Sequence, residues 1–163
     1  MPFRYLLLLR FVLLPLWIIL VASAKDPNIV VVMTDEHNYR TLGCYRDQLS
    51  TDQAFIWGDG VKVDTPNIDS LARGGALLTH FFVSSPMCTP SRASFHSGLY
   101  PPATGAAENH APMNKETVTF AKILNDNGWE TGYVGKWHLN GDTRPGWSSE
   151  GENVFGFTST KYL

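Results

Sequence analysis

The clearest hydrophobic signal in the chain is the run at residues 28–34, NIVVVMT, in which residues 29–32 are all β-branched. An apolar run without alternation is typical of a strand buried on both faces, and therefore of a central strand in a mostly parallel sheet. Asp35 and Glu36 follow it directly. Ligand sites in open α/β sheets lie beyond the carboxyl ends of strands, so this carboxylate pair is a candidate binding site.

The remaining pattern alternates between strands and helices. Two further strands are predicted at 76–83 and 131–134, and three helices at 65–74, 90–97 and 117–127. Residues 44–64 show no sustained period and are predicted to be a loop. This order of elements predicts an α/β sandwich. No closing strand or helix is visible after residue 140, so we expect a truncated domain.

The first 24 residues predict a secretory signal peptide rather than part of the domain. Arg4 and Arg10 supply positive charge, residues 11–21 are uncharged and apolar, and an Ala-Ser-Ala motif ends at Ala24. That apolar run is too short for a transmembrane helix, which needs about 20 residues. We therefore expect cleavage after Ala24, a domain over 25–163, no stable membrane anchor, and export to the periplasm, the extracellular space or the lysosome. An uncleaved membrane anchor is the alternative.

Composition excludes several classes of protein. The 163 residues are 44% hydrophobic and carry 13 Lys and Arg against 15 Asp and Glu, a formal net charge of −2. This apolar content excludes a disordered tail, and the near-neutral balance indicates no nucleic-acid partner. Two cysteines are too few for a disulfide-rich scaffold. Export nevertheless means an oxidising compartment, so a Cys44–Cys88 disulfide is one open interpretation.

Residues 88–92, Cys-Thr-Pro-Ser-Arg, place a cysteine close to the start of a predicted helix. The N-terminus of a helix stabilises anions and lowers the pKa of a thiol. Arg92 lies one turn further along, where it can reach the same anionic group. A buried structural cysteine, or half of a disulfide with Cys44, is the more common role of such a residue. These residues alone leave both interpretations of Cys88 open.

Four short motifs occur in the order of one known family. Residues 88–92 resemble the C-x-P-S-R signature of the type I, formylglycine-dependent sulfatases of the alkaline-phosphatase-like superfamily. Residues 28–36 are similar to that family's first strand and carboxylate pair, residues 65–72 to its T-P-N-I-D-x-L-A helix, and residues 135–139 to its G-K-W-H-L-G segment. The chain is thus identified as the N-terminal portion of a sulfatase. The resemblance implies an alkaline-phosphatase-like α/β sandwich with a mostly parallel central sheet.

The resemblance also implies a two-step hydrolysis of sulfuric esters. A formylglycine-generating maturation enzyme would oxidise Cys88 to formylglycine, whose hydrated aldehyde attacks sulfur and later expels sulfate. Asp35, Glu36 and the modified residue 88 would bind a divalent cation, Ca²⁺ in most relatives, with Mg²⁺ as the alternative. The implied substrate is a sulfate ester, and a sulfated carbohydrate is one candidate.

Three basic residues complete the implied site. Arg92 would steady the formylglycine and the metal-site carboxylates, and Lys136 would bind the sulfate. His138, two residues after Lys136 and so on the same side of an extended segment, would take a proton from the second hydroxyl. Without the resemblance, a solvated strand end at Asp35 and Glu36 and surface positions for Lys136 and His138 are the simpler interpretation.

Two features depart from the family pattern. Glu36 stands where many relatives have Asp, and the relatives' second metal-ligand pair and a further Lys and His lie far downstream of position 163. We therefore expect negligible turnover by the 163-residue chain alone. A phosphonate or phosphate ester hydrolase of the same superfamily, and a non-catalytic truncated secreted fragment, are the alternatives.

The other histidines show no spacing typical of a zinc site and are interpreted as structural. They are His37, His80, His96 and His110. His110 is additionally a candidate for lining a substrate pocket, because it lies near Asn109 and Asn114 in the sequence.

Overall fold

The computed structural model describes residues 27–141 and 155–158 of the chain. The chain divides into two compact units, Met1–Thr34 and Asp35–Leu163. The predicted signal peptide, residues 1–24, lies outside the described residues. Within the described ranges, no helix combines the length and the apolar character that crossing a membrane requires.

Helices provide the regular structure in the described part of the second unit. The elements are a 3-10 turn at Tyr39–Thr41, α1 at Gly43–Arg46, α2 at Thr51–Ala54, α3 at Pro66–Gly74, α4 at Cys88–Ser97, α5 at Pro101–Thr104 and α6 at Phe120–Asp126. The three predicted helices are confirmed as α3, α4 and α6, with ends displaced by up to three residues.

Local capping explains where α4 ends and where α6 begins. Gly98 follows α4 in the left-handed conformation, with φ of 72°, and its N–H donates to the carbonyl of Ser94. At the start of α6, the side chain of Thr119 accepts a hydrogen bond from the backbone N–H of Lys122. Threonine is a favoured N-cap residue, so the helix begins at Phe120 rather than at the predicted residue 117.

The predicted loop at 44–64 contains the two short helices α1 and α2. At the start of α1, the N–H of Gly43 donates to Thr65 Oγ1 and the N–H of Cys44 donates to Asp69 Oδ1, each at 2.9 Å. Residues at the start of α3 therefore satisfy N–H groups that a helix N-terminus leaves unpaired. The loop prediction was wrong here because partners more than 20 positions away stabilise α1.

The three predicted strands, at 28–34, 76–83 and 131–134, are not formed in the described part of the chain. Gly132 makes one isolated β-bridge. Val30 is 84% exposed and Phe82 is 83% exposed. A strand exists only when a neighbouring segment pairs with its N–H and C=O groups, so an apolar pattern alone does not form one.

The hydrophobic core of the second unit surrounds the segment after residue 135. Trp137 and Leu139 are fully buried and cluster with Met113, Phe155 and Phe157. The N–H of Met113 also donates to the carbonyl of Leu139 at 2.9 Å. Burial of Trp137 and Leu139 fixes the backbone of this segment, which carries the predicted site residues Lys136 and His138.

Candidate active site

Two of the predicted site residues, Arg92 and Lys136, converge on the carboxylate of Asp35. Arg92 of α4 donates from Nη2 to Asp35 Oδ1 at 3.2 Å, and Lys136 donates from Nζ to Oδ2 at 2.9 Å. The hydrogen bond from Lys136, supported by that from Arg92, holds the pKa of Asp35 below its ordinary value, although burial opposes this effect. The fold thus brings Arg92, which is 57 positions from Asp35 in the chain, and Lys136, which is 101 positions from it, to the same carboxylate.

Arg92 is a buried cation with several polar partners. The residue is only 6% exposed. Its Nη1 donates to the main-chain carbonyl of Lys136 at 2.6 Å and to the hydroxyl of Tyr133 at 3.4 Å, and that hydroxyl donates to the same carbonyl. Tyr133 was not among the predicted site residues. Because Arg92 lies four residues after Cys88 on α4, both lie on one face of the helix.

Lys136 interacts with both Asp35 and Cys88. The hydrogen bond to Asp35 raises the pKa of Lys136 above its ordinary value, and the Cys88 side chain acts in the same direction, against the effect of burial. The side chain of Lys136 is 26% exposed and therefore retains access to solvent. A protonated and accessible ammonium group is suited to bind an incoming anion.

Asp35, Glu36 and Cys88 form a candidate metal site. One ligand atom from each residue, two carboxylate oxygens and Sγ, lies within 4.8 Å of the others. Ca²⁺ binds oxygen at roughly 2.3–2.6 Å, so two ligands of one ion lie up to about 5 Å apart. The two carboxylates therefore fit a Ca²⁺ ion. The thiol does not, because soft sulfur is a poor ligand for a hard cation.

His138 is a buried histidine that pairs with a second histidine. It is 6% exposed, and its Nε2 lies 3.1 Å from Nδ1 of His110. Burial lowers the pKa of His138 below its ordinary value, and the positive charge of Lys136 acts in the same direction. A lowered pKa keeps the imidazole neutral at neutral pH, which is the form that accepts a proton.

Three residues with no catalytic role predicted from the sequence, Thr89, Asn109 and His110, link the parts of the site. Thr89 is fully buried. Its N–H donates to Asn109 Oδ1 and its Oγ1 donates to the carbonyl of His138, both at 3.0 Å. His110, which was interpreted as structural and as a candidate for lining a substrate pocket, has its ring against that of His138. Asn109 and His110 are adjacent in the sequence, but only the tertiary structure shows that they lie beside Thr89 and His138.

Both cysteines are free in the structure, so the Cys44–Cys88 disulfide does not form. Cys44 lies beside Asp69 instead, and its N–H donates to that carboxylate. Burial raises the pKa of the Cys44 thiol above its ordinary value, and Asp69 adds to the effect. Since the thiolate is the reactive form, this shift makes the Cys44 thiol less reactive than an ordinary cysteine.

Comparison with known proteins shows the family. The sequence profile described as Sulfatase matches residues 27–161. The chain belongs to the sulfatase family. It is 36% identical over 150 residues to steryl-sulfatase from Homo sapiens and 38% identical over 124 residues to arylsulfatase A from Homo sapiens. These alignments cover 85% and 72% of this chain but only 24% and 22% of the two relatives. The sulfatase chain therefore spans about a quarter of the length of these relatives.

A solved structure supports the same assignment. The crystal structure of Ps i-CgsB is 28% identical to this sulfatase chain, with a TM-score of 0.62 over 82% of this chain and 27% of that one. The complex of Ps i-CgsB with k-i-k-neocarrahexaose matches equally well. Together with the family match, this similarity supports the alkaline-phosphatase-like α/β fold class, although the described residues form no sheet.

Proposed function

We propose that the protein hydrolyses sulfuric esters with a formylglycine made from Cys88 and with a bound divalent cation. One observation carries the proposal. Two carboxylates, one cysteine and two cations meet around Asp35 in a chain of the sulfatase family. Carboxylates suit a hard metal ion, and fixed cations suit the oxyanions of a sulfate ester.

Conversion of Cys88 to formylglycine removes the mismatch at the candidate metal site. The thiol adds a soft sulfur to the hard oxygens of Asp35 and Glu36, all within 4.8 Å. A hydrated aldehyde at residue 88 replaces this sulfur with oxygen and produces an all-oxygen ligand set. Such a set suits Ca²⁺, with Mg²⁺ as the alternative. The proposal therefore requires a formylglycine-generating enzyme as a partner during maturation.

Each neighbouring residue has a defined task in the proposed reaction. Formylglycine supplies an oxygen nucleophile for attack on sulfur, and the cation supplies positive charge that stabilises oxyanions. Lys136 binds a sulfate oxygen through its accessible ammonium group. Arg92 orients the Asp35 carboxylate by the hydrogen bond between them. His138, held neutral by burial, accepts a proton from a hydroxyl on residue 88.

We propose a sulfated carbohydrate as the substrate class. The support is that Ps i-CgsB was solved with k-i-k-neocarrahexaose, an oligosaccharide. Two relatives have names that refer to steryl and aryl sulfates, so the cluster around Asp35 would recognise the sulfate group rather than the alcohol. We also propose that the protein is exported.

We further propose that residues 28–34 form a central parallel strand when other strands pair with them.

The 163-residue chain alone should show negligible turnover, so the test uses protein extended to include the downstream metal-ligand pair that the family resemblance implies. It combines mass spectrometry of residue 88 with an aryl sulfate assay on this protein, produced together with a formylglycine-generating enzyme. We expect an aldehyde at residue 88 and turnover of p-nitrophenyl sulfate that Cys88→Ala abolishes. Cys44→Ala is the matched control, because it removes the other thiol and leaves the site intact.

Two outcomes would contradict the proposal. Faster cleavage of an aryl phosphonate or phosphate than of the sulfate would favour the other hydrolases of the superfamily. An unmodified Cys88, together with no Ca²⁺ binding by calorimetry, would favour a non-catalytic protein.

A further inference from the structure

The candidate site contains unusual backbone conformations. Among the described residues, the non-glycine positions with positive φ are Glu36 at 51°, His110 at 68° and His138 at 61°. This conformation is unfavourable for residues with a side chain and persists where the surrounding structure imposes it, often at functional sites. Two of these three positions are the paired histidines, of which the proposed function uses only His138.

The buried hydroxyl of Thr89 connects the backbones of His110 and His138. Thr89 Oγ1 donates to the carbonyl of His138 at 3.0 Å and accepts from the N–H of His110 at 3.4 Å. The imidazole centroids are 4.9 Å apart, and Nε2 of His138 lies 3.1 Å from Nδ1 of His110. The histidine pair is therefore fixed through both its backbones and its rings.

The hydrogen bond between the rings determines which nitrogen of His138 exchanges a proton. One of the two bonded nitrogens must carry the hydrogen. Within the described residues, Nδ1 of His138 is buried and has no hydrogen-bond partner. If Nε2–H of His138 donates to His110, Nδ1 keeps its lone pair and can act as a base. If His110 donates instead, a neutral His138 carries its proton on Nδ1, and this nitrogen then has no lone pair with which to act as a base.

We propose that His110 is a positioning residue that accepts a hydrogen bond from Nε2–H of His138 and so holds the Nδ1 lone pair of His138 available as the base. This inference rests on the proposed function, because it assigns His138 the role of base in sulfuric ester hydrolysis. When Nδ1 takes up a proton, the bond from Nε2–H to His110 becomes charge-assisted and therefore stronger. His110 acts through His138 and does not contact the reacting atoms.

The test compares two substitutions that both tolerate a positive φ. His110→Gly removes the acceptor, whereas His110→Asn places an amide oxygen close to the position of Nδ1. Imidazole ¹⁵N NMR reports the tautomer of His138 without any need for turnover. We expect wild-type His138 to be the Nε2–H tautomer at pH 7, and His110→Gly to lose this preference.

Kinetics on an aryl sulfate, with protein extended to include the downstream metal-ligand pair, provide the second measurement. We expect His110→Gly to lower kcat about tenfold, the scale seen when residues that orient a catalytic or metal-bound group are removed, with little change in KM. His110→Asn should recover most of the lost kcat. His80→Asn is the matched control and should behave as wild type, because His80 is exposed and its ring hydrogen-bonds Thr79.

Three results separate the possibilities. An unchanged tautomer or an unchanged kcat in His110→Gly would overturn the proposal. Equal losses of kcat in His110→Gly and His110→Asn, with equal losses of thermal stability, would mean a purely structural role and would also overturn it. A tautomer that depends on His110 in a protein that cleaves no sulfate ester would support the orienting contact while refuting the proposed function.

Discussion

A buried histidine in the aromatic core should make the fold sensitive to acid. His96 on α4 is 3% exposed, and its ring stacks on Phe120 with centroids 5.5 Å apart and lies 5.0 Å from Trp137. Burial, assisted by the positive charge of Arg92, lowers the pKa of His96 from 6.5 to about 4. The substitution that tests this effect is His96→Leu, which keeps an apolar side chain in the core and removes the titratable group.

The sign and size of the effect follow from proton linkage. Above pH 6.5 His96 is neutral in both the folded and the unfolded chain and contributes no pH dependence. Below pH 6.5 the unfolded chain binds a proton that the folded chain takes up only near pH 4, so stability falls as the pH falls. The full penalty is about 3 kcal/mol, and about 2 kcal/mol of it is present at pH 5.

Urea unfolding at pH 7.5 and pH 5 measures this penalty. We expect the free energy of unfolding to fall between pH 7.5 and pH 5 in both proteins. The fall should be about 2 kcal/mol larger in the wild type than in His96→Leu. His80→Gln is the control, because it removes an exposed histidine and should follow the wild-type profile. If the wild type and His96→Leu lose the same free energy, the histidine is not held neutral by burial and the reasoning fails.

Three further predictions follow from other contacts. Asp35→Asn should abolish Ca²⁺ binding measured by calorimetry, because it removes a carboxylate of the candidate metal site; unchanged affinity would exclude Asp35 as a ligand. Thr89→Val should lower the urea unfolding free energy by about 1–3 kcal/mol, because it leaves a buried carbonyl without its donor, and an effect near zero would contradict this account. Gly156→Ala should lower the melting temperature more than Gly98→Ala. The φ angle is positive at both positions (83° and 72°), but of the two only Gly156 would bring the added Cβ into collision with the backbone of α6. Equal shifts in melting temperature would refute the clash.

Much of the candidate site was predictable from short motifs. The segments that carry Asp35, Cys88, Arg92 and Lys136 each have a recognisable local sequence, and the structure brings these residues together. The roles assigned to them stay predictions. Tyr133 could not be found in this way, because it enters the site only through hydrogen bonds to Arg92 and to the carbonyl of Lys136.

The fold was predictable where local chemistry decides it. Gly98 marks the end of α4 and Thr119 caps the start of α6, so these helix ends follow from the local sequence. The strand predictions depended on a pairing partner, and in the described residues the apolar segments at 28–34 and 76–83 have no strand beside them. Apolar patterning reports that a segment should be buried, but not which segment will pair with it.

The sequence by itself determined the family, the order of the three longer helices α3, α4 and α6, and most of the charged residues of the site, because these depend on residue type and on short spacings. Only the tertiary structure decided that both cysteines are free and that His110 contacts His138. It also decided that His96 lies in the aromatic core. Each of these facts concerns residues far apart in the chain, and packing of the intervening segments sets their distance and their exposure to water.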